Sequence, residues 1–278
     1  MRADTGPTLG VLLLLVSGCS GGPAIEPTPP APHQIAAATP ARGLSLEDVG
    51  REVTRLRAAL AKGVPQHTAE TADGDLAWIS RAKAAVAAAP LAIEQPQLLV
   101  VVDRNPAVQE LRIILAQPNA TWEVIGGSKV STGQSGRRGY FITPLGVFLH
   151  TDGILDYRAL GTFNENHIRG LGLKGMRVWD FGWQTAERGW RVERDPAEIR
   201  LLMHATDPDY LEQRLGHPAS EGCVRVPATM NRFLDIHGVL DVDYERAAQD
   251  DARLDSILPR DRTPTPLAGD ALVVVDSS

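Results

Sequence analysis

The sequence predicts a mainly β domain, built of short strands with a few short helices and preceded by a small α-helical segment. Three observations lead there. From Gln97 onward, short runs rich in Val, Ile and Leu alternate with Gly, Pro, Asn and Asp breaks, the pattern of strands joined by turns. Between Ser45 and Pro90 the apolar residues instead recur at helical spacing. Finally, 278 residues with 43% hydrophobic content suffice for one ordinary core with appendages.

The first stretch is an address. Residues 9–16 read LGVLLLLV, far short of the roughly 20 apolar residues a spanning helix needs, so residues 1–18 are expected to be a signal peptide. Val16-Ser17-Gly18-Cys19 follows and resembles the lipobox of bacterial lipoproteins, in which the cysteine is lipidated and becomes the new N-terminus. Ser20, rather than an acidic residue, comes next, which resembles the outer-membrane-directed pattern of Gram-negative lipoproteins. The resemblance implies a periplasmic protein, anchored to a membrane through Cys19. Residues 19–43 are rich in Pro, Ala and Gly and cannot bury enough surface to offset their ordering entropy, so they read as a tether.

Folded elements begin at Ser45-Leu46-Glu47-Asp48, a capping-box pattern followed by Leu46, Val49, Val53, Leu56 and Leu60 on one helical face before Gly63. A second, Ala-rich helix is expected from about Asp75 to Ala88, with Leu76, Ile79, Ala82 and Val86 apolar and Pro90 behind it. Together they predict a helical hairpin over 44–92, ahead of the main domain. Strands are expected at 97–103, 110–116, 121–126, 146–151, 177–181 and 199–205. PATMNRFLDIH (227–237) then reads as a short helix with Pro at its start and Gly238 at its end. The main domain is thus placed at 97–243, leaving 244–278 as a tail with at most a short strand at Leu272–Val275.

Composition narrows the function. A net charge of −6 and the absence of any Lys/Arg run leave no basic surface for phosphates, so a nucleic-acid partner is not expected. Two cysteines exclude a disulfide-rich scaffold and a four-thiolate zinc site, and no HExxH spacing occurs, so neither metal nor cofactor is expected. Trp179, Trp183 and Trp190, with Phe163 and His167, fit either a core or the wall of a glycan or peptide groove.

Cys223 lies in Ser220-Glu221-Gly222-Cys223-Val224-Arg225, a polar turn running into an apolar step. Gly222 permits an unusual φ just ahead of the thiol, and N–H groups converging at such a turn suit an oxyanion hole. His204 ends an apolar strand 223 − 204 = 19 positions upstream, so any pairing with Cys223 comes from the fold and not from local spacing. One Cys and one His alone fit a buried thiol and a strand-end histidine equally well.

Three ordered blocks add to them: Val130-Ser131-Thr132-Gly133, then Thr143-Pro144-Leu145-Gly146-Val147-Phe148, then His204-Ala205-Thr206 with Ser220-Glu221-Gly222-Cys223-Val224-Arg225. Together they resemble the signature of L,D-transpeptidases of the YkuD type, over roughly residues 97–243. The resemblance implies a β-rich sandwich and a peptidoglycan-directed transferase. In it Cys223 is the nucleophile, His204 the base or ion-pair partner held by the Ala205 carbonyl, and Gly222 and Cys223 the oxyanion N–H donors. Arg225, Ser220 and Thr206 fall to substrate binding, and the partner is a peptidoglycan stem peptide. Two departures stand out: Ala205 where glycine is common, and Glu221 where histidine is usual, a carboxylate that opposes a thiolate nearby. The alternatives are an L,D-carboxypeptidase that hydrolyses the same acyl-enzyme and a non-catalytic, wall-binding lipoprotein.

Overall fold

The computed structural model describes residues 43–68 and 72–278. The expected signal peptide, the Cys19 anchor and nearly all of the tether lie outside the described residues. Among the described residues no helix is long and apolar enough to cross a membrane.

Two helices come first, α1 (Leu46–Gly63) and α2 (Ala72–Ala87). The capping box closes as the sequence suggests: Ser45 Oγ accepts the Asp48 N–H at 3.1 Å, and the Asp48 carboxylate accepts the Ser45 N–H at 3.2 Å. The strands are β1 (Gln97–Asp103), β2 (Glu110–Ala116), β3 (Glu123–Lys129), β4 (Phe141–Ile142), β5 (Gly146–Leu149), β6 (Tyr157–Arg158), β7 (Arg177–Arg188), β8 (Pro196–Ala205), β9 (Val224–Val226) and β10 (Ala271–Val275). Three short helices, α3 (Ala228–Ile236), α4 (Val242–Ala247) and α5 (Ala252–Ile257), fall between β9 and β10.

The strands form two sheets, ordered β3-β2-β1-β10-β5 and β4-β7-β8-β9, with β6 also paired to β7. Leu98, Val100 and Val102 of β1 share one core with Trp179 and Phe181 of β7, Leu201 and Met203 of β8 and Val224 of β9. The expected mainly β fold is therefore present, as two sheets facing each other across an apolar layer.

Three expectations need correction. The two N-terminal helices do not pair as a hairpin. β1 is buried on both faces, so each face of the first sheet needs its own cover. Val49, Val53, Leu56 and Leu60 of α1 enter the core between the sheets, whereas Trp78, Ala82 and Val86 of α2 pack with Leu99, Val101 and Val273 on the other face. Trp78 anchors α2, while Leu76 is 63% exposed.

The segment 244–278 is no tail. β10 lies parallel to β1 and antiparallel to β5 near the middle of the first sheet, every residue buried. A run of Leu and Val with no polar alternation is what a strand covered on both faces requires. The described residues accordingly form one compact unit, so the expected boundaries at 92 and 243 do not divide it.

Finally, the strand expected at 177–181 continues to Arg188. The Asp180-Phe181-Gly182 stop is a bulge, with Gly182 at φ +76°, beyond which pairing with β8 resumes at Trp183 opposite Arg200. At the other end of β7, the buried Arg177 guanidinium bonds Asp156 at 2.7 Å and Asp241 at 3.1 Å, fastening α4 and its neighbours to the second sheet.

Candidate active site

β8 lies between β7 and β9 and carries His204 near its end. Its parallel pairing with β9 sets Met203 opposite Val224 and His204 opposite Arg225. Met203 and Val224 point into the core, so strand alternation sends His204, Arg225 and Cys223 to the opposite face. Two residues of rise and one strand spacing put the His204 and Cys223 Cα atoms roughly 8 Å apart. The fold thus brings together residues 19 positions apart (223 − 204).

The turn that presents the thiol is tied down from several sides. Ser131 and Arg225 exchange backbone hydrogen bonds at 3.0 and 2.9 Å, and the Ala219 and Ser220 N–H groups both donate to the Thr132 carbonyl. Thr143 Oγ1 accepts the Gly133 N–H and donates to the Gly222 carbonyl, each at 2.8 Å. The first two motif blocks therefore act as scaffold for the third. Gly133 has no room for a side chain, since a Cβ would sit 2.0 Å from the Phe141 carbonyl oxygen. Gly222 adopts φ +129°, and a Cβ there would meet Ile199 Cδ1 at 2.9 Å, which bears out the unusual backbone read from the sequence.

Ser220 is fully buried, and its hydroxyl is spent on the turn: it donates to the Cys223 carbonyl at 2.5 Å and accepts the Gly222 N–H at 3.1 Å. Two assignments change as a result. Ser220 shapes the turn and does not face a substrate, and the Gly222 N–H is not open to a substrate oxygen in this structure. The Cys223 N–H has no acceptor among the described residues. Thr206 is also buried: its N–H closes the β8–β9 ladder on the Val226 carbonyl at 3.1 Å, while its Oγ1 has no partner among the described residues.

His204 Nδ1 lies 2.7 Å from the Ala205 carbonyl oxygen. A carbonyl has no hydrogen to give, so Nδ1 carries the proton and Nε2 keeps its lone pair. Burial, reinforced by the Arg225 charge against the pull of the Ala205 carbonyl, depresses the imidazole to about 4. The ring is a neutral base in the resting site. The half-buried Cys223 thiol is raised by burial, with Glu221 and Asp180 adding to the rise and the Leu202 N–H and Arg225 opposing it. Its hydrogen-bond contact is the Arg200 carbonyl, 3.9 Å away. The resting pair is thiol and neutral imidazole, not an ion pair.

Arg225 donates from one guanidinium nitrogen to the Ala219 carbonyl at 3.1 Å, while its buried Nε has no partner. No carboxylate forms a salt bridge with it among the described residues, which leaves its charge available to an anion.

Tyr157, Asp180 and Arg200 share this face and had no sequence signal. Tyr157 pairs with Val178, which pairs with His204, completing a row across β6, β7, β8 and β9. Asp180 accepts both short contacts of Arg200 Nε, at 2.8 and 2.9 Å, across the bulge. A cavity of about 340 Å³ opens beside Tyr157, walled by Leu160, Phe163 and Leu171. The aromatic cluster divides: Trp179 is core, Trp190 packs edge-on to Phe141 at 5.1 Å, and Trp183 is 64% exposed with the Arg200 guanidinium 5.8 Å from its ring.

No family model matches the chain, and no curated protein matches it. The resemblance to L,D-transpeptidases rests on the motif blocks. Among the described residues no group of three or more His, Cys, Asp and Glu side chains is placed to hold a metal ion.

Proposed function

We propose that the protein is a cysteine-dependent L,D-transpeptidase that acylates itself with a peptidoglycan tetrapeptide stem and passes the acyl group to an amine. The observation that carries the reading is the common face of the second sheet, which holds Cys223, His204 and Arg225, with His204 locked by the Ala205 carbonyl so that Nε2 is free to take a proton. Attack begins as the Sγ proton passes to His204 Nε2 and the sulfur bonds the carbonyl carbon of the third stem residue. Collapse of the tetrahedral species breaks the C–N bond, and D-Ala leaves as the amine, taking the proton from the imidazolium. The amine of a second stem then displaces the thiol by the reverse sequence. The Cys223 N–H is the oxyanion donor at hand, and Arg225 suits a substrate carboxylate. Export and lipid anchoring through Cys19 belong to the same proposal, since they bring the enzyme to its polymer.

The raised thiol and its contact with the Arg200 carbonyl favour one alternative, a wall-binding protein without turnover. Intact-mass spectrometry of the chain from Ser20, mixed with disaccharide-tetrapeptide, separates the readings. An adduct equal to the substrate less D-Ala, lost in Cys223→Ala and in His204→Ala, is expected. A folded protein with a free thiol that gives neither adduct nor product refutes the enzyme reading.

A further inference from the structure

β9 starts too late to cover all of β8. It begins at Val224, opposite Met203, so β8 from Pro196 to Leu202 has no strand on that side. The Thr206 N–H points to β9, donating to Val226, and the two-residue period of a strand turns the backbone groups of residues 204, 202, 200 and 198 the same way. The thiol confirms that parity, since it contacts the Arg200 carbonyl and receives the Leu202 N–H. Next along the edge come the Arg200 N–H and both backbone groups of Glu198. None of these pairs with another group among the described residues. The Glu198 and Arg200 side chains are exposed while Ile199 and Leu201 are buried, so the strand is anchored by one face and open along its edge.

We propose that this open edge of β8 is the donor subsite, on which the backbone of the acyl-donor peptide docks as an added strand leading to Cys223. The inference rests on the acyl-transfer reading and adds to it how the donor is held. What the edge offers is an alternating N–H and C=O, the complement of an extended peptide backbone, and an unpaired strand edge is a template for such pairing. The edge also runs directly into the nucleophile. The Arg200 N–H donates to one carbonyl of the donor, the Glu198 carbonyl accepts one N–H, and the next carbonyl of the donor reaches Sγ. Recognition at this subsite is therefore of main chain rather than of side chains.

The test uses tetrapeptide donors in which one amide at a time is replaced by an ester, which removes a single N–H. Acylation of the wild-type chain is followed by intact mass, with the rate of iodoacetamide alkylation of Cys223 as a control for the thiol itself. The ester facing Glu198 is expected to lower the acylation rate roughly tenfold, the effect of one hydrogen bond left unmade, while alkylation stays unchanged and esters elsewhere have little effect. Arg200→Pro, which deletes an N–H that takes no part in pairing with β7, is expected to lose a similar factor relative to Arg200→Ala. Equal acylation by every ester donor overturns the docking inference and leaves the acyl-transfer reading standing. No acyl-enzyme from the parent amide overturns both.

Discussion

Acidifying the protein should expose His204 as a specific weak point. The buried imidazole sits at about 4 in the folded chain against an ordinary 6.5, so between those values the unfolded chain takes up a proton that the folded chain refuses. Stability contributed by the neutral ring is present above pH 6.5 and is lost as the pH falls toward 4. A separation of about 2.5 pH units at 1.36 kcal/mol each amounts to about 3 kcal/mol. Other groups titrate in the same window: His150 is lowered by burial but carried above its ordinary value by Asp156 and Asp241, and burial lifts Asp270 to about 6. The comparison is therefore between wild type and His204→Gln, which shares those groups and retains a side-chain N–H for the Ala205 carbonyl. Urea unfolding at half-unit steps from pH 7 to pH 4 should show wild type losing about 3 kcal/mol more than the variant. Catalysis should follow the same group, with the acid limb of the acylation rate near pH 4 instead of 6.5. Parallel stability curves for the two proteins would refute the buried neutral base.

Three further perturbations test the architecture around the site. Leu56→Ala, on the α1 face buried between the sheets, should cost about 2–5 kcal/mol, read as a lowered melting temperature, and a chain lacking residues 20–92 should be insoluble; a stable, soluble truncation would show that α1 and α2 are spacers. Thr143→Val leaves the Gly133 N–H and the Gly222 carbonyl unmet and should destabilise by about 1–3 kcal/mol, with acyl-enzyme formation falling more than simple thiol alkylation; unchanged acylation would mean that the turn is held by other bonds.

Much of the chain's local character was legible. Ser45 through Leu60 carries both the cap and the apolar stripe of α1, and Gln97–Asp103 announces a strand, because each signal comes from residues a few positions apart. What α1 packs against was not legible, because β3 and α3, which it touches, lie 60 residues and more along the chain, and a helical stripe looks the same against another helix or a sheet. The Leu272–Val275 run spells a strand but not its place in the sheet, since nothing in four residues says whether one face or two will be covered. At the site, the blocks marked Cys223 and His204, and the structure sets them on one face. The task of Ser220 escaped a reading by motif, because a hydroxyl that bonds its own turn and one that bonds a substrate have the same spelling. Asp180 and Arg200 meet only through the bulge at Gly182, a geometry that residue types alone do not announce.

The place of β10 also constrains how the chain reaches its folded state. Leu99 and Ala271 are paired neighbours separated by 271 − 99 = 172 positions in the sequence. Until residues 271–275 are available, β5 has no strand to join it to β1, and the first sheet stops at an apolar edge. Closing so long a loop before any of its contacts can repay the lost entropy makes assembly slow and places it late. A chain emerging from one end cannot complete this sheet while residues 271–275 are still being made, and it stays threadable for as long as that lasts. On the proposal that the chain is exported, the delay is the property that keeps the route across the membrane open.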